Sequence, residues 1–308
     1  MRRLSPATLI LAACLALAAG CGGARTASEQ GSVDGRLPVV TTTTQLTDFA
    51  RAVGGDHVDV YGILKPNVDA HDFEPSPGDI AELARAKVIV KNGVGLEEWF
   101  DSTIRNAGSK ATVVEAATGV RLRQGQGEQN GEEDPHIWQD PRNAKVMVHN
   151  IAVALAAADP AHRADYQANE AAYAAELDRL DAEIASEIAG LANRKLVTNH
   201  DAFHYYVDRY GLEFVGSIIP GFDSQAELSV QDISSIVRLV TSVGVKAVFS
   251  ETSLPPKTAE TIARDAGVRV VAGEDSLYGD SLGPPGSAGD TYLKMLRHNT
   301  RVIVENLG

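Results

Sequence analysis

Three histidines and one aspartate in this sequence stand where a metal ion could be held. His136 lies in "DPHIWQDP" (residues 134–141), between two Asp-Pro pairs. Proline fixes its own φ and drives the preceding residue away from helix, so the stretch reads as an ordered loop that presents its histidine. His71 lies in "LKPNVDAHDFEPSPGD", after a strand pattern, and His200 follows "KLVTN", where a strand hands over to a helix. Asp280 stands in the loop "EDSLYGDSLGPPG", after the strand "VRVVAG". Three neutral imidazoles and a carboxylate form a mixed N and O donor set that suits Zn²⁺. Mn²⁺ prefers more oxygen, which a bidentate Asp280 could supply. Binding requires unprotonated imidazoles, so affinity should fall below about pH 6.5. Each residue taken alone also has a plainer reading, as a hydrogen-bonding turn histidine or a turn-forming aspartate.

The remaining candidates are weaker. His204 follows His200 by four residues in "HDAFH", which is not the H-E-x-x-H zinc motif, and reads as a helix-face residue. His57, His149, His162 and His298 lie on strand or helix faces without companion donors and read as structural or surface residues. There is no P-loop and no dinucleotide-binding fingerprint. An exported zinc-dependent hydrolase would need an open coordination position and a nearby base. Glu251, in "VFSETS", and Glu74 are the acids to nominate for that role. Four protein ligands leave no ready position for water, so the residues favour a binding protein over an enzyme. A surface adhesin is a further alternative.

In open parallel sheets, ligands collect beyond the carboxyl ends of the strands. Strand patterns occur at 37–44, 57–64, 86–93 and 112–117, and again at 195–199, 212–218, 245–250 and 268–273. Helical patterns alternate with them, among them "LEEWFDSTIRNAG" (96–108) in the first half. Such alternation predicts α/β architecture with parallel sheets covered by helices. Between the two series Tyr173, Leu177, Leu180, Ile184, Ile188 and Leu191 recur at spacings of 4, 3, 4, 4 and 3. That period predicts a single amphipathic helix, roughly 45 Å long at 1.5 Å per residue. The fold class is therefore two parallel-sheet α/β lobes joined by one long backbone helix, with the candidate ligands drawn from both lobes to one cleft. The expected division is an N-terminal lobe at 37–159, a linking helix at 160–192 and a C-terminal lobe at 193–308. The segment 123–134, "RQGQGEQNGEED", has no apolar residue and no histidine and reads as an acidic loop.

The chain opens with two arginines, an apolar run and "AAGC". This is the order of a secretory signal, expected at 1–20, and the apolar run is too short for a confident membrane span. Cys21 directly after Ala19-Gly20 looks like the lipidated residue of a bacterial lipoprotein box, although Ala18 stands where Leu is usual. Residues 21–36 are small and polar and read as a flexible tether. The only cysteines are Cys14 and Cys21, so neither a disulfide nor a thiolate metal ligand is available to the mature protein. A net charge of −13 argues against nucleic acid as a partner and favours cations.

Four stretches together resemble the zinc/manganese class of solute-binding proteins of bacterial ABC importers (ZnuA/TroA-like). "DAHDFEPSPGD" resembles its first histidine motif. "DPHIWQDPRNA" resembles its second, with Gln139 where an apolar residue is common. "TNHDAFHYYVDRYGL" resembles its third, with His204 at a usually small or polar position. "LYGDSLG" followed by "GDTYLKMLRHN" resembles its fourth ligand and C-terminal helix. The resemblance runs in order over roughly residues 37–308. It implies two α/β lobes joined by a long helix, one metal ion per chain in the cleft, and His71, His136, His200 and Asp280 as its ligands. It further implies a monomer anchored by lipid to the outer face of the cytoplasmic membrane, passing its metal to an ABC permease. A third-position histidine, where many manganese members have glutamate, favours zinc.

Overall fold

The computed structural model describes residues 35–125, 131–222, 224 and 228–308. The expected signal at 1–20 and Cys21 lie outside the described residues. In the first lobe β1 (Leu37–Thr41), β2 (Val58–Gly62), β3 (Val88–Lys91) and β4 (Thr112–Glu115) form one parallel sheet in the order β2-β1-β3-β4. Val39 pairs with Val60 on one side and Val88 on the other. Val39, Val40, Val88, Ile89 and Val90 are all buried, as strands covered on both faces must be. The crossovers carry α1 (Thr44–Gly54), α2 (Pro77–Arg85) and α3 (Phe100–Ala107).

Two of these elements are shorter than their sequence patterns. The strand expected at 37–44 stops at Thr41, because Thr43 caps α1 and accepts from Leu46 N–H at 3.3 Å. Threonine side chains that bond to nearby backbone compete with ladder pairing. The helix expected at 96–108 begins only at Phe100. Glu97 turns inward instead and accepts from Asn92 N–H (2.7 Å), Gly93 N–H (3.1 Å) and the Thr42 hydroxyl (2.5 Å).

Asp140 and Pro141 open α4 (Pro141–Ala158), with the Asp140 carboxylate accepting from Arg142 N–H. Aspartate as cap and proline at the first helical position suit a helix start. A short 3₁₀ turn, Pro160–His162, leads into α5 (Arg163–Ala189), a helix of 27 residues that joins the lobes. Leu177, Leu180, Ile184 and Ile188, the heart of the predicted stripe, are buried along it. Its first half is tied to the first lobe by Tyr173 donating to Asp48 and Asn169 donating to Val53 C=O.

The second lobe holds β5 (Lys195–Thr198), α6 (His204–Tyr210), β6 (Glu213–Ser217), α7 (Val230–Val243), β7 (Ala247–Phe249), α8 (Lys257–Ala266), β8 (Arg269–Val271) and α9 (Tyr292–Leu307). Among the described residues its strands form two separate parallel pairs, β5-β6 and β7-β8, with β5 packed beside β7. One apolar core runs through both lobes. It joins Val39 and Val88 to Leu180 and Ile184 of α5, Met295 and Leu296 of α9, and Leu196, Phe249 and Leu277. No helix among the described residues is long and apolar enough to cross a membrane.

Candidate metal centre

The four candidate ligands reach one point by four different routes. His71 sits in the long loop after β2. Its backbone N–H donates to Asp69 Oδ1 at 2.9 Å, and Trp99 Nε1 fixes the preceding residue by donating to Ala70 C=O at 3.3 Å. The Ser224 hydroxyl donates to the other oxygen of Asp69. His136 stands before a 3₁₀ turn, Ile137–Gln139, where Asn92 Nδ2 donates to Pro135 C=O at 3.0 Å. The proline frame thus holds the ordered loop that its sequence predicts. His200 follows β5 directly, with Thr198 Oγ1 donating to its C=O at 2.8 Å. Asp280 comes nine residues after β8. Two groups clamp its loop. Trp138 Nε1 and Gln139 Nε2 both donate to Gly279 C=O, at 3.0 and 3.1 Å. Asn299 of α9 accepts from Tyr278 N–H and donates to Tyr278 C=O. Gln139, unusual by resemblance, therefore ties the second histidine segment to the aspartate loop.

Together the four side chains offer one ligand atom each, all within 4.8 Å of one another. His71 Nε2 lies 3.4 Å from His136 Nε2 and 3.5 Å from Asp280 Oδ2. His136 Nε2 is 3.4 Å from Asp280 Oδ1, and His200 Nε2 is 3.2 Å from Asp280 Oδ2. The side chains of His136, His200 and Asp280 are fully buried, whereas that of His71 is 9% exposed. His200 Nε2 and both oxygens of Asp280 have no aligned hydrogen-bond partner. A buried carboxylate in that condition is costly unless a cation meets it.

Charge and burial set the protonation states. Burial pulls the His71 imidazole below its ordinary range, against the attraction of Asp280. Burial acts the same way on His200, but Glu251 and Asp280 outweigh it and hold His200 well above that range. For Asp280, burial favours the neutral acid. The three imidazoles, His200 foremost, reverse this and hold the carboxyl below the usual carboxylate range. The outer ring nitrogens of two ligands face carboxylates. His136 Nδ1 is 2.8 Å from Asp134 Oδ1, and His200 Nδ1 is 3.0 Å from Glu251 Oε1. Once a cation displaces the proton that Glu251 and Asp280 favour on His200, such pairs would leave Nε2 as the lone pair that meets it and raise its basicity. Donors, burial and charge all suit a divalent cation.

A cavity of about 610 Å³ opens onto His71, with Trp99, Phe222, Glu98, Glu132 and Glu133 among its lining residues. The three glutamates favour the approach of cations. The segment expected as a loop at 123–134 is a narrow hairpin at its base, with Gly125 N–H donating to Glu132 C=O and Asp134 N–H to Arg123 C=O. Residues 126–130 of this segment lie outside the described residues.

The other histidines are elsewhere. His57 stacks on His162 with centroids 3.8 Å apart and pairs with Asp165, and His149 pairs with Glu170. His298 is buried and donates from Nε2 to Ser276 C=O, which braces the start of the aspartate loop. His204 is the first residue of α6 and packs on Phe214 with centroids 4.2 Å apart. Glu74 is exposed. Glu251, nominated above as a hydrolase base, lies behind His200 on the Nδ1 side, away from the face where a substrate would meet a metal. Nothing in its local sequence signals that pairing.

The family model of ZnuA, the periplasmic component A of the zinc-uptake complex, matches residues 39–306. The iron ABC transporter substrate-binding lipoprotein MtsA of Streptococcus pyogenes is 30% identical over 303 residues, covering 95% of this chain and 94% of its own. The periplasmic zinc-binding protein TroA of Treponema pallidum superposes with a TM-score of 0.82 at 28% identity, covering 89% of this chain and all of its own. The laminin-binding adhesin Lmb of Streptococcus agalactiae, in a mutant structure, superposes with a TM-score of 0.78 at 31% identity, covering 88% of this chain and all of its own.

Proposed function

This chain belongs to the ZnuA family of metal-uptake components, and from that premise we propose that it captures one Zn²⁺ outside the cytoplasm and delivers it to an ABC permease. The family is one of solute-binding proteins of ABC importers, not of enzymes. The observation that carries the reading is the convergence of His71, His136, His200 and Asp280 within 4.8 Å, around a buried carboxylate with no other partner. Zinc is the ion proposed, because three imidazoles and one carboxylate complete a four-coordinate N and O set. Mn²⁺ is the alternative, with Asp280 binding through both oxygens. The relative MtsA, an iron ABC transporter substrate-binding lipoprotein, keeps iron as a third divalent ion in the competition.

The remaining parts of the reading follow from the same premise. Cys21 carries a lipid anchor, residues 21–36 tether the protein to the outer face of the cytoplasmic membrane, and the chain acts as a monomer. The lobes are 37–159 and 193–308, with 160–192 linking them. The core shared by both lobes and α5 supports release by small loop or lobe shifts rather than wide hinge opening.

Calorimetric titration of the metal-free protein with Zn²⁺ tests the ligand set. His136→Ala should weaken binding by roughly two decades or more, since it also leaves the Asp134 carboxylate buried without its imidazole. An unchanged affinity would remove the centre from consideration. Metal analysis of protein purified without added metal, followed by competition between Zn²⁺ and Mn²⁺, decides the ion.

A further inference from the structure

Glu251 occupies an unusual position behind the centre. Its backbone extends the β7-β8 pairing by an isolated parallel bridge to Leu277, three residues before Asp280. Thr252 N–H donates to Leu277 C=O at 2.9 Å, and Leu277 N–H donates to Ser250 C=O at 2.8 Å. Its side chain reaches the other strand pair. Glu251 Oε1 accepts from His200 N–H at 3.0 Å, and both carboxylate oxygens lie 3.0 Å from His200 Nδ1. Glu251 is 1% exposed, and its Oε2 has no aligned donor. The carboxylate fits because residue 279 is glycine: a Cβ there would stand 2.0 Å from Glu251 Oε2 and 3.6 Å from His200 Cε1. Glu251 therefore stands between the two candidate ligands of the second lobe: its side chain grips His200, and its backbone segment pairs with Leu277 in the chain that leads to Asp280.

We propose that Glu251 is the positioning residue that selects the Nδ1–H form of His200 and sets its distance to Asp280, with Gly279 as the gap it requires. Glu251 does not touch the metal. It fixes which nitrogen of His200 carries the proton, so that Nε2 presents its lone pair to the ion, and its charge strengthens that nitrogen as a donor. This inference rests on the metal-capture reading, and its test separates the two.

The experiment uses the whole chain, with Zn²⁺ affinity measured by chelator competition and the ring nitrogens followed by long-range ¹H–¹⁵N correlation in the zinc-loaded state. Glu251→Gln removes the charge at constant shape. It should weaken Zn²⁺ binding roughly 10–100-fold and shift the His200 Nδ1–H signal, while the His136 signal, held by Asp134, stays in place. Gly279→Ala should act in the same direction by displacing the carboxylate, which keeps the proposal testable if Glu251→Gln folds poorly. Thermal unfolding of the metal-free variants reports general damage separately. Wild-type affinity in both variants, or weakened binding with an unmoved His200 signal, overturns the role of Glu251 and leaves the capture reading intact. Failure of the unsubstituted chain to bind Zn²⁺ overturns both.

Discussion

The two lobes solve the same problem with different means. In the first, one four-stranded sheet gives a continuous ladder; of its two candidate ligands, His136 is fully buried beside Asp134, whereas His71 rides on a long loop and keeps some exposure. In the second, the strands form two separate pairs, yet His200 and Asp280 are fully buried, held by Glu251 and Asn299 of their own lobe and by Trp138 and Gln139 of the first. Continuity of the sheet is therefore not what fixes the donors here. Side-chain ties between loops fix them, within each lobe and across the two. Physically, a ladder orders strand backbones but stops at their ends, and the ligands lie beyond those ends.

The largest effects are expected at the candidate ligands themselves. Asp280→Asn removes the one charged donor from the strongly held side. It should cost about 3–5 kcal/mol of Zn²⁺ binding, or roughly two to three and a half decades in Kd. His71→Ala removes the exposed donor and should cost less and act mainly by speeding metal loss, which stopped-flow chelation would read. A larger loss for His71→Ala than for Asp280→Asn would show that the exposed imidazole holds the ion more strongly than the buried carboxylate.

The attachments of the two lobes to α5 differ in their response to pH. On the side of the second lobe, Asp181 of α5 accepts from Arg209 Nε (2.8 Å) and from the Tyr210 hydroxyl (3.0 Å) of α6. Partial burial opposes its ionisation, but these bonds outweigh burial and hold its pKa below the ordinary value. Its contribution is thus complete above the unfolded pKa and is lost as pH falls through the folded one. In the first lobe Asp48 accepts from Tyr173 and from Tyr292 N–H, but burial dominates and raises its pKa. Its ionised form costs stability at neutral pH, and that cost fades as pH falls through the raised value. Asp181→Asn should lose roughly 2 kcal/mol at pH 7, a deficit that shrinks on acidification. Asp48→Asn should lose less at pH 7 and fare worse relative to wild type as the pH falls. Urea unfolding at pH 7 and pH 4 measures both, and parallel trends would refute the contrast.

The smallest effects concern the loop supports. Asn299→Ala deletes both bonds to Tyr278 and should destabilise by about 1–3 kcal/mol, since it leaves buried backbone groups unpaired. Trp99→Phe deletes one bond to Ala70 C=O and should cost about 1 kcal/mol or less. Equal losses in chemical unfolding would mean that the two lobes hold their loops equally well.

Much of this molecule was legible along the chain. The stripe from Leu177 to Ile188 could only be one face of a helix, and the eight apolar runs are strands. The histidines of "DPHIWQDP", "DAHDF" and "TNHDAF" stood out because proline restriction and strand ends are local properties. The supports were not legible, because their partners are remote in sequence. His200 meets Glu251 across 51 residues, Gln139 meets Gly279 across 140, and Leu282 N–H finds Thr44 across 238. Glu97 is similar. Its helical pattern with Phe100 was overridden by three donors that only the folded loop collects.

What the sequence determined by itself is the inventory: the donor types, the alternating elements and the strut between them, each encoded in residue spacings within one or two turns of chain. What the tertiary structure alone decided is the convergence of four Nε2 and carboxylate atoms within 4.8 Å, and the choice of glutamate and glycine to brace them. Propensity and periodicity act between near neighbours, whereas hydrogen bonds and charges select partners by distance in space, which the chain acquires only when its core closes.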